Sequence, residues 1–186
     1  MKKRNLVWID MEMTGLDPDR EAIIEIATLI TDAELNIVAE GPDLVIHQPP
    51  RILKSMDHWN QTHHEKSGLL EEVKRAKVSL EQAEDRTLDF IKKHCEIHKS
   101  PLCGNSVHHD RRFLAKYMPS IHKYLHYRLI DVSTVKGLIT RWYDAELISP
   151  PAKDGKHRAM QDIRESVEEL RYYRKNFFKA KRKKKP

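Results

Sequence analysis

The sequence predicts an α/β fold, a mixed five-stranded sheet covered by helices on both faces. Three observations point to it. Three apolar, strand-like stretches follow one another closely before His47, and stretches of helical period then alternate with short apolar runs. The chain then ends in a long amphipathic segment, so a meander is followed by alternating helix and strand.

Leu6, Val7, Trp8 and Ile9 form a short apolar run suited to a strand buried on both faces, broken by Thr14-Gly15. Ile23 to Ile30 (IIEIATLI) is the second strand and Asn36 to His47 the third; their short connection makes an antiparallel meander. Pro49-Pro50 ends it, and helical character runs from Arg51 to Ala76. Ser79-Leu80-Glu81-Gln82 reads as a capping box, followed by Leu80, Ala83, Leu88, Ile91 and Cys95 at helical spacing. Pro101 to Asn105 gives a fourth strand and turn, and Asp110 to Met118 a helix stopped by Pro119. Tyr127 to Asp131 is the fifth strand and Ser133 to Tyr143 another helix. A loop from Ser149 through Gly155, expected to be mobile, leads to the last helix, about Arg158 to Phe178, with Ile163, Val167, Leu170 and Phe177 on one face.

At 186 residues, 39% hydrophobic and 33% charged, the chain fits one soluble domain over 1–178. No stretch approaches the roughly 18 apolar residues of a membrane span, and the basic start leads into too few apolar residues for a secretion signal. Cys95 and Cys103 match neither a disulfide framework nor a zinc site, so buried thiols in a reducing cytoplasm are expected. The formal charge of +6 equals the basic residues between Lys179 and Lys185; the body is neutral, and 179–186 reads as a disordered basic tail. No Gly-rich phosphate loop, G-x-S-x-G elbow or C-x-x-C is present.

Asp10 and Glu12 interrupt the first strand at i, i+2, so both point to one face at the end of a buried element. Buried carboxylates need a positive partner, and their oxygens suit Mg²⁺ or Mn²⁺. Asp110, opening the helix after the fourth strand, and Asp162, in the first turns of the last helix, belong where strand ends and helix starts meet. Either alone reads as a helix-start carboxylate. Together the four acids suit two divalent ions, one bridged by Asp10, about 3.5 to 4 Å apart as in two-metal phosphoryl transfer. His157, at the loop exit, is a candidate general base, with an ordinary pKa of about 6.5.

Asp10-x-Glu12, Asp110 and His157-x-x-x-x-Asp162 resemble the DEDDh branch of 3′-to-5′ exonucleases. WIDMEMTGLD, IIEIATL, MDHWN, SGLLEEV, CGNS, DRRFLAKYMP, HYRLIDVST and DIRESVEELRYYR, in order from Leu6 to Phe178, are similar to its oligoribonuclease family. The resemblance implies a ribonuclease H-like fold and a homodimeric enzyme using two Mg²⁺ or Mn²⁺ ions per site. It would release 5′-mononucleotides from the 3′ ends of very short single-stranded RNAs, dinucleotides above all. By motif position Asp10, Glu12, Asp110 and Asp162 would be metal ligands and His157 the base. Leu16 would wedge between two bases, with Trp59 and His64 flanking the substrate. Ser106, Arg128 and Ser133 would hold the terminal phosphate, with Tyr127 and Arg128 reaching in from the partner protomer.

Two positions depart from the family pattern. His108-His109 stands where small or uncharged residues are commoner, making His109 the second candidate base, and Leu129 replaces a common aromatic. The competing readings are a DNA-proofreading or tRNA-trimming exonuclease of the same superfamily, and a non-catalytic RNA-binding module using the basic tail. The MDHWN and HYRLIDVST blocks argue against the first, and five acid/base residues at catalytic positions against the second.

Overall fold

The computed structural model describes residues 5–152 and 158–179. His157 and residues 180–186 of the basic tail lie outside the described residues.

The first three strands are β1 (Leu6–Met13), β2 (Ile23–Thr31) and β3 (Ile37–Val45), an antiparallel meander as expected. β4 (Leu102–Gly104) and β5 (Leu129–Asp131) add in parallel on the other side, giving the five-stranded order β3-β2-β1-β4-β5. The stretch read as continuous helix from Arg51 to Ala76 is three short helices, α1 (Pro50–Lys54), α2 (His58–Lys66) and α3 (Leu69–Arg75). Asp57 caps the second through Asn60 N–H, and Gly68, in the left-handed region at φ 77°, divides it from the third. α4 (Leu80–His94) starts with the expected capping box between Ser79 and Gln82. α5 (His108–Tyr117) is followed by α6 (Pro119–Tyr124): Pro119 ends one helix and opens the next, a role its fixed φ permits and the sequence reading missed. α7 (Val132–Trp142), a 3-10 turn at Ala145–Leu147 and α8 (Ala159–Phe177) complete the described elements.

Alternation along β1 sorts the core into two layers. Val7, Ile9, Met11 and Met13 pack with Ile91 of α4, Phe113 and Leu114 of α5 and Ile121 of α6. Trp8, with Ala27 and Leu29 of β2, packs beneath Val132 and Ile139 of α7 and Ile163, Val167 and Tyr173 of α8. Trp8 is fully buried and its indole N–H donates to Thr31 Oγ1 at 3.0 Å, satisfying its only donor. The parity that puts Trp8 under α8 puts Asp10 and Glu12 there too. A third cluster, Leu53, Met56, Leu69, Leu70 and Val73, seats α1 to α3 against Ile24. Cys95 and Cys103 are buried and take no part in a disulfide, and burial pushes the Cys103 thiol up.

Candidate active site

Asp10, Glu12 and Asp162 meet beneath the first turn of α8, each offering an oxygen within 4.8 Å of the others. β1 supplies the first two from one face, and α8 crosses that face to bring the third. Asp110, the fourth expected ligand, comes from α5 and is 5% exposed. β4 pairs with β1 only at Val7 and Trp8, so further along this edge the Met11 N–H finds Asp110 Oδ1 instead, at 3.1 Å. The acids thus gather just past the carboxyl end of β4, where parallel strands leave a crevice.

Burial chiefly, then the charges of Asp110, Glu12 and Asp162, hold the Asp10 carboxyl well above the ordinary carboxylate range. Glu12 is pushed up to about 8 by burial and then by Asp162, Glu25 and Asp110. Asp110 is likewise raised to about 8, mainly by burial, which outweighs its stabilising backbone hydrogen bonds. An all-oxygen donor set that ionises this reluctantly fits a hard divalent cation, whose charge offsets the repulsion.

His64 is 3% exposed: Nε2 lies 3.0 Å from Met13 O and Nδ1 3.9 Å from Glu12 Oε2. The Met13 carbonyl only accepts, so Nε2 carries the hydrogen and Nδ1 faces the acids. This histidine therefore stands at the wall of the acid cluster. Trp59 and Leu16 are not core residues, being 59% and 60% exposed. Trp59 stacks on His63 with 3.8 Å between ring centroids. Leu16 projects from a loop closed by hydrogen bonds from Thr14 Oγ1 to Glu21 Oε2 and from Thr14 N–H to Ala22 O. A Cβ at Gly15 would come within 2.9 Å of the Glu21 side chain, which would have to shift to admit it.

Ser106 and Ser133 are brought together, their hydroxyls 3.2 Å apart. Ser106, in the left-handed region at φ 49°, directs its N–H to Asp131 Oδ1 and Ser133 Oγ. Ser133 Oγ donates to Asn105 Oδ1, and Asn105 Nδ2 to Ser166 and Glu169 of α8. This network ties the serine pair to the helix that carries Asp162. Tyr127 and Arg128 stand exposed just before β5, an edge of the sheet, with the guanidinium carbon 5.4 Å from the tyrosine ring centroid.

Sequence reasoning missed Asn105, Asp131 and an ion-paired group at the start of α8: Glu25, Glu72 and Arg158. The signal for Glu25 was in plain view. A glutamate within the otherwise apolar IIEIATL run calls for a partner by the argument already applied to Asp10.

A mixed five-stranded sheet with a carboxylate cluster at its strand ends suits a nuclease of the exonuclease type. The RNase T exonuclease family matches residues 7–170. Chains similar to this one include the oligoribonuclease of Escherichia coli K12, 55% identical over 177 residues (95% of this chain, 97% of that one). The mitochondrial oligoribonuclease of Homo sapiens is 53% identical over 178 residues, covering 96% of this chain and 75% of that one. Among solved structures, E. coli exonuclease I in complex with a 5cy-dT13 oligonucleotide superimposes with a TM-score of 0.70 at 14% identity. That match covers 94% of this chain and 41% of the other, a likeness of fold. The chain belongs to the oligoribonuclease family.

Proposed function

We propose that this exoribonuclease degrades very short RNAs, dinucleotides above all, from the 3′ end to 5′-mononucleotides, and that it works as a homodimer in a reducing cytoplasm. The observation that carries the reading is the meeting of Asp10, Glu12 and Asp162 within 4.8 Å, with Asp110 hydrogen-bonded to the strand between the first two. These four carboxylates would hold Mg²⁺ or Mn²⁺, two ions per site. Bound there, the metal supplies charge stabilisation at the phosphoryl oxygens and a water of lowered pKa.

The chain's own residues do the rest. His157 takes a proton from the attacking water; the new bond forms at phosphorus and the P–O3′ bond breaks, leaving a 5′-mononucleotide and a shortened 3′-hydroxyl end. Exposed Leu16 and Trp59 offer apolar and aromatic surface to unstacked bases, which costs nothing in sequence preference because every base has a π-face. His64 flanks the substrate from beside Glu12. The Ser106–Ser133 hydroxyl pair receives the terminal phosphate, joined by Arg128 and Tyr127 of the partner protomer. Such a capped slot favours two nucleotides, since a third would displace the cap.

The test is mononucleotide release from a labelled dinucleotide and a labelled seven-mer, with Mg²⁺ and with EDTA. Metal-dependent release, faster from the dinucleotide, supports the reading. Equal efficiency on both makes the enzyme a general 3′-to-5′ exoribonuclease, and cleavage undiminished by EDTA removes the metal assignment.

A further inference from the structure

Glu25 sits directly opposite Glu12 in the β1–β2 ladder, side chain fully buried. Paired residues of antiparallel strands share a face, so a third carboxylate of β1 and β2 abuts the acid cluster. Both its oxygens are taken by protein donors. Oε1 accepts from Arg158 Nε at 2.9 Å and is 2.8 Å from a terminal guanidinium nitrogen, while Oε2 accepts the Ala159 N–H at 3.0 Å. The same guanidinium makes a bidentate pair with Glu72 of α3, both contacts 2.9 Å.

This arrangement replaces a missing helix cap. Arg158 is the N-cap residue of α8 but makes no side-chain cap bond. The orphan N–H of Ala159 is instead satisfied by a carboxylate from the sheet. Arg158 O then accepts the Asp162 N–H at 3.0 Å, closing the first turn. Asp162 is thereby fixed to the sheet through one helical turn whose start is clamped from two sides. Arg158 also bears a positive charge that draws Glu12 down, against the upward push of burial and its acidic neighbours.

We propose that Arg158 and Glu25 are positioning residues for the exonuclease reaction, setting where Asp162 meets Asp10 and Glu12. The proposal rests on the reading of Asp162 as a metal ligand. Arg158 does this by forking between the sheet and α3, a task for a planar five-donor guanidinium and not for a lysine. Glu25 does it by capping α8, and while paired it is not an extra buried charge competing for the ion.

The experiment compares wild type with Arg158→Met, Arg158→Lys, Glu25→Gln, the double variant Glu25→Gln/Arg158→Met, and Asp162→Asn. Three quantities are read on each full-length protein: Mn²⁺ affinity by calorimetry, kcat and KM on a dinucleotide at saturating Mn²⁺, and metal-free Tm. Arg158→Met is expected to lose about 10- to 100-fold in Mn²⁺ affinity and in kcat, the range for groups that orient metal ligands, with KM near wild type. Its Tm falls because Glu25 is left buried and unpaired. Arg158→Lys retains the charge and most of the Tm but loses kcat in the same order. The double variant recovers Tm, the orphaned charge being gone, yet keeps the low Mn²⁺ affinity and kcat.

Recovery of all three quantities in the double variant would make the pair a stability feature and overturn the proposal. So would wild-type Mn²⁺ affinity and kcat in Arg158→Met and Arg158→Lys alike. Asp162→Asn separates the two levels of the argument. If it binds Mn²⁺ and cleaves like wild type, the assignment of Asp162 fails and the proposal falls with it. If it loses both while the Arg158 variants keep both, the proposal alone fails.

Discussion

Glu12→Gln is expected to stabilise the metal-free protein while disabling it. The Glu12 carboxyl, ordinarily at 4.5, is raised to about 8 in the fold by burial and then by Asp162, Glu25 and Asp110. Because the folded chain holds this proton more tightly than the unfolded chain, the group's contribution is fully present below pH 4.5. It is lost progressively as pH rises through about 8. At about 1.4 kcal/mol per pH unit, the loss at neutral pH comes to about 3 kcal/mol. An amide of the same shape carries no such titration. Allowing for the amide's own burial, a gain of roughly 2 to 3 kcal/mol is expected, or roughly 5 to 10 °C in Tm for a chain of this size. Thermal unfolding in EDTA near pH 5, 7 and 8.5 reads it directly: the advantage of Glu12→Gln should be small near pH 5 and grow with pH. Saturating Mn²⁺ should reverse the order, because the ion binds and stabilises the wild-type fold more strongly. A variant no more stable than wild type near pH 7, or a gap that does not shrink on acidification, would refute the account of Glu12 as a strained carboxylate awaiting a cation.

Asp10→Ala should abolish Mn²⁺ binding and turnover together, whereas His157→Ala should spare metal-supported substrate binding and lose roughly 10² to 10⁴-fold in single-turnover rate; near-wild-type cleavage by the latter would transfer the role to His109. Mixing inactive Asp10→Ala and Arg128→Ala protomers should restore part of the activity, since an exchanged dimer contains one site with intact acids and a borrowed Arg128. No recovery despite subunit exchange verified by mass would mean that the sites are built within one protomer. A version ending at Phe178 should lose activity on a seven-mer but not on a dinucleotide at low salt, with the difference fading at high salt, if the tail gathers longer RNA by charge alone. Comparable seven-mer efficiency with and without the tail at low salt would remove that role.

The sequence by itself determined the sheet and singled out the acids that gather at its strand ends. Strand alternation fixes that Asp10 and Glu12 share a face, and two acids set in an apolar run ask for a positive partner; neither step needs tertiary information. The capping box at Ser79 and the meander were legible for the same reason, since both are written in residues close together in the chain. Boundaries were less so. The division of Arg51–Ala76 into three helices depends on Gly68 taking a left-handed turn and on Leu53, Leu69 and Val73 converging on Ile24, and periodicity alone shows neither.

Only the tertiary structure decided which partners each charge finds. Asp110 reaches the Met11 N–H because β4 is too short to cover that edge of β1, and His64 stands beside Glu12 with its ring against Met13 O because α2 packs over the end of the strand. Glu25 and Arg158, 133 residues apart, form one clamp because antiparallel pairing sets Glu25 across from Glu12 and α8 crosses both. A one-dimensional pattern records that a buried charge needs a partner; the crossing of a helix over a sheet determines which residue supplies it, and so which charge remains for the metal.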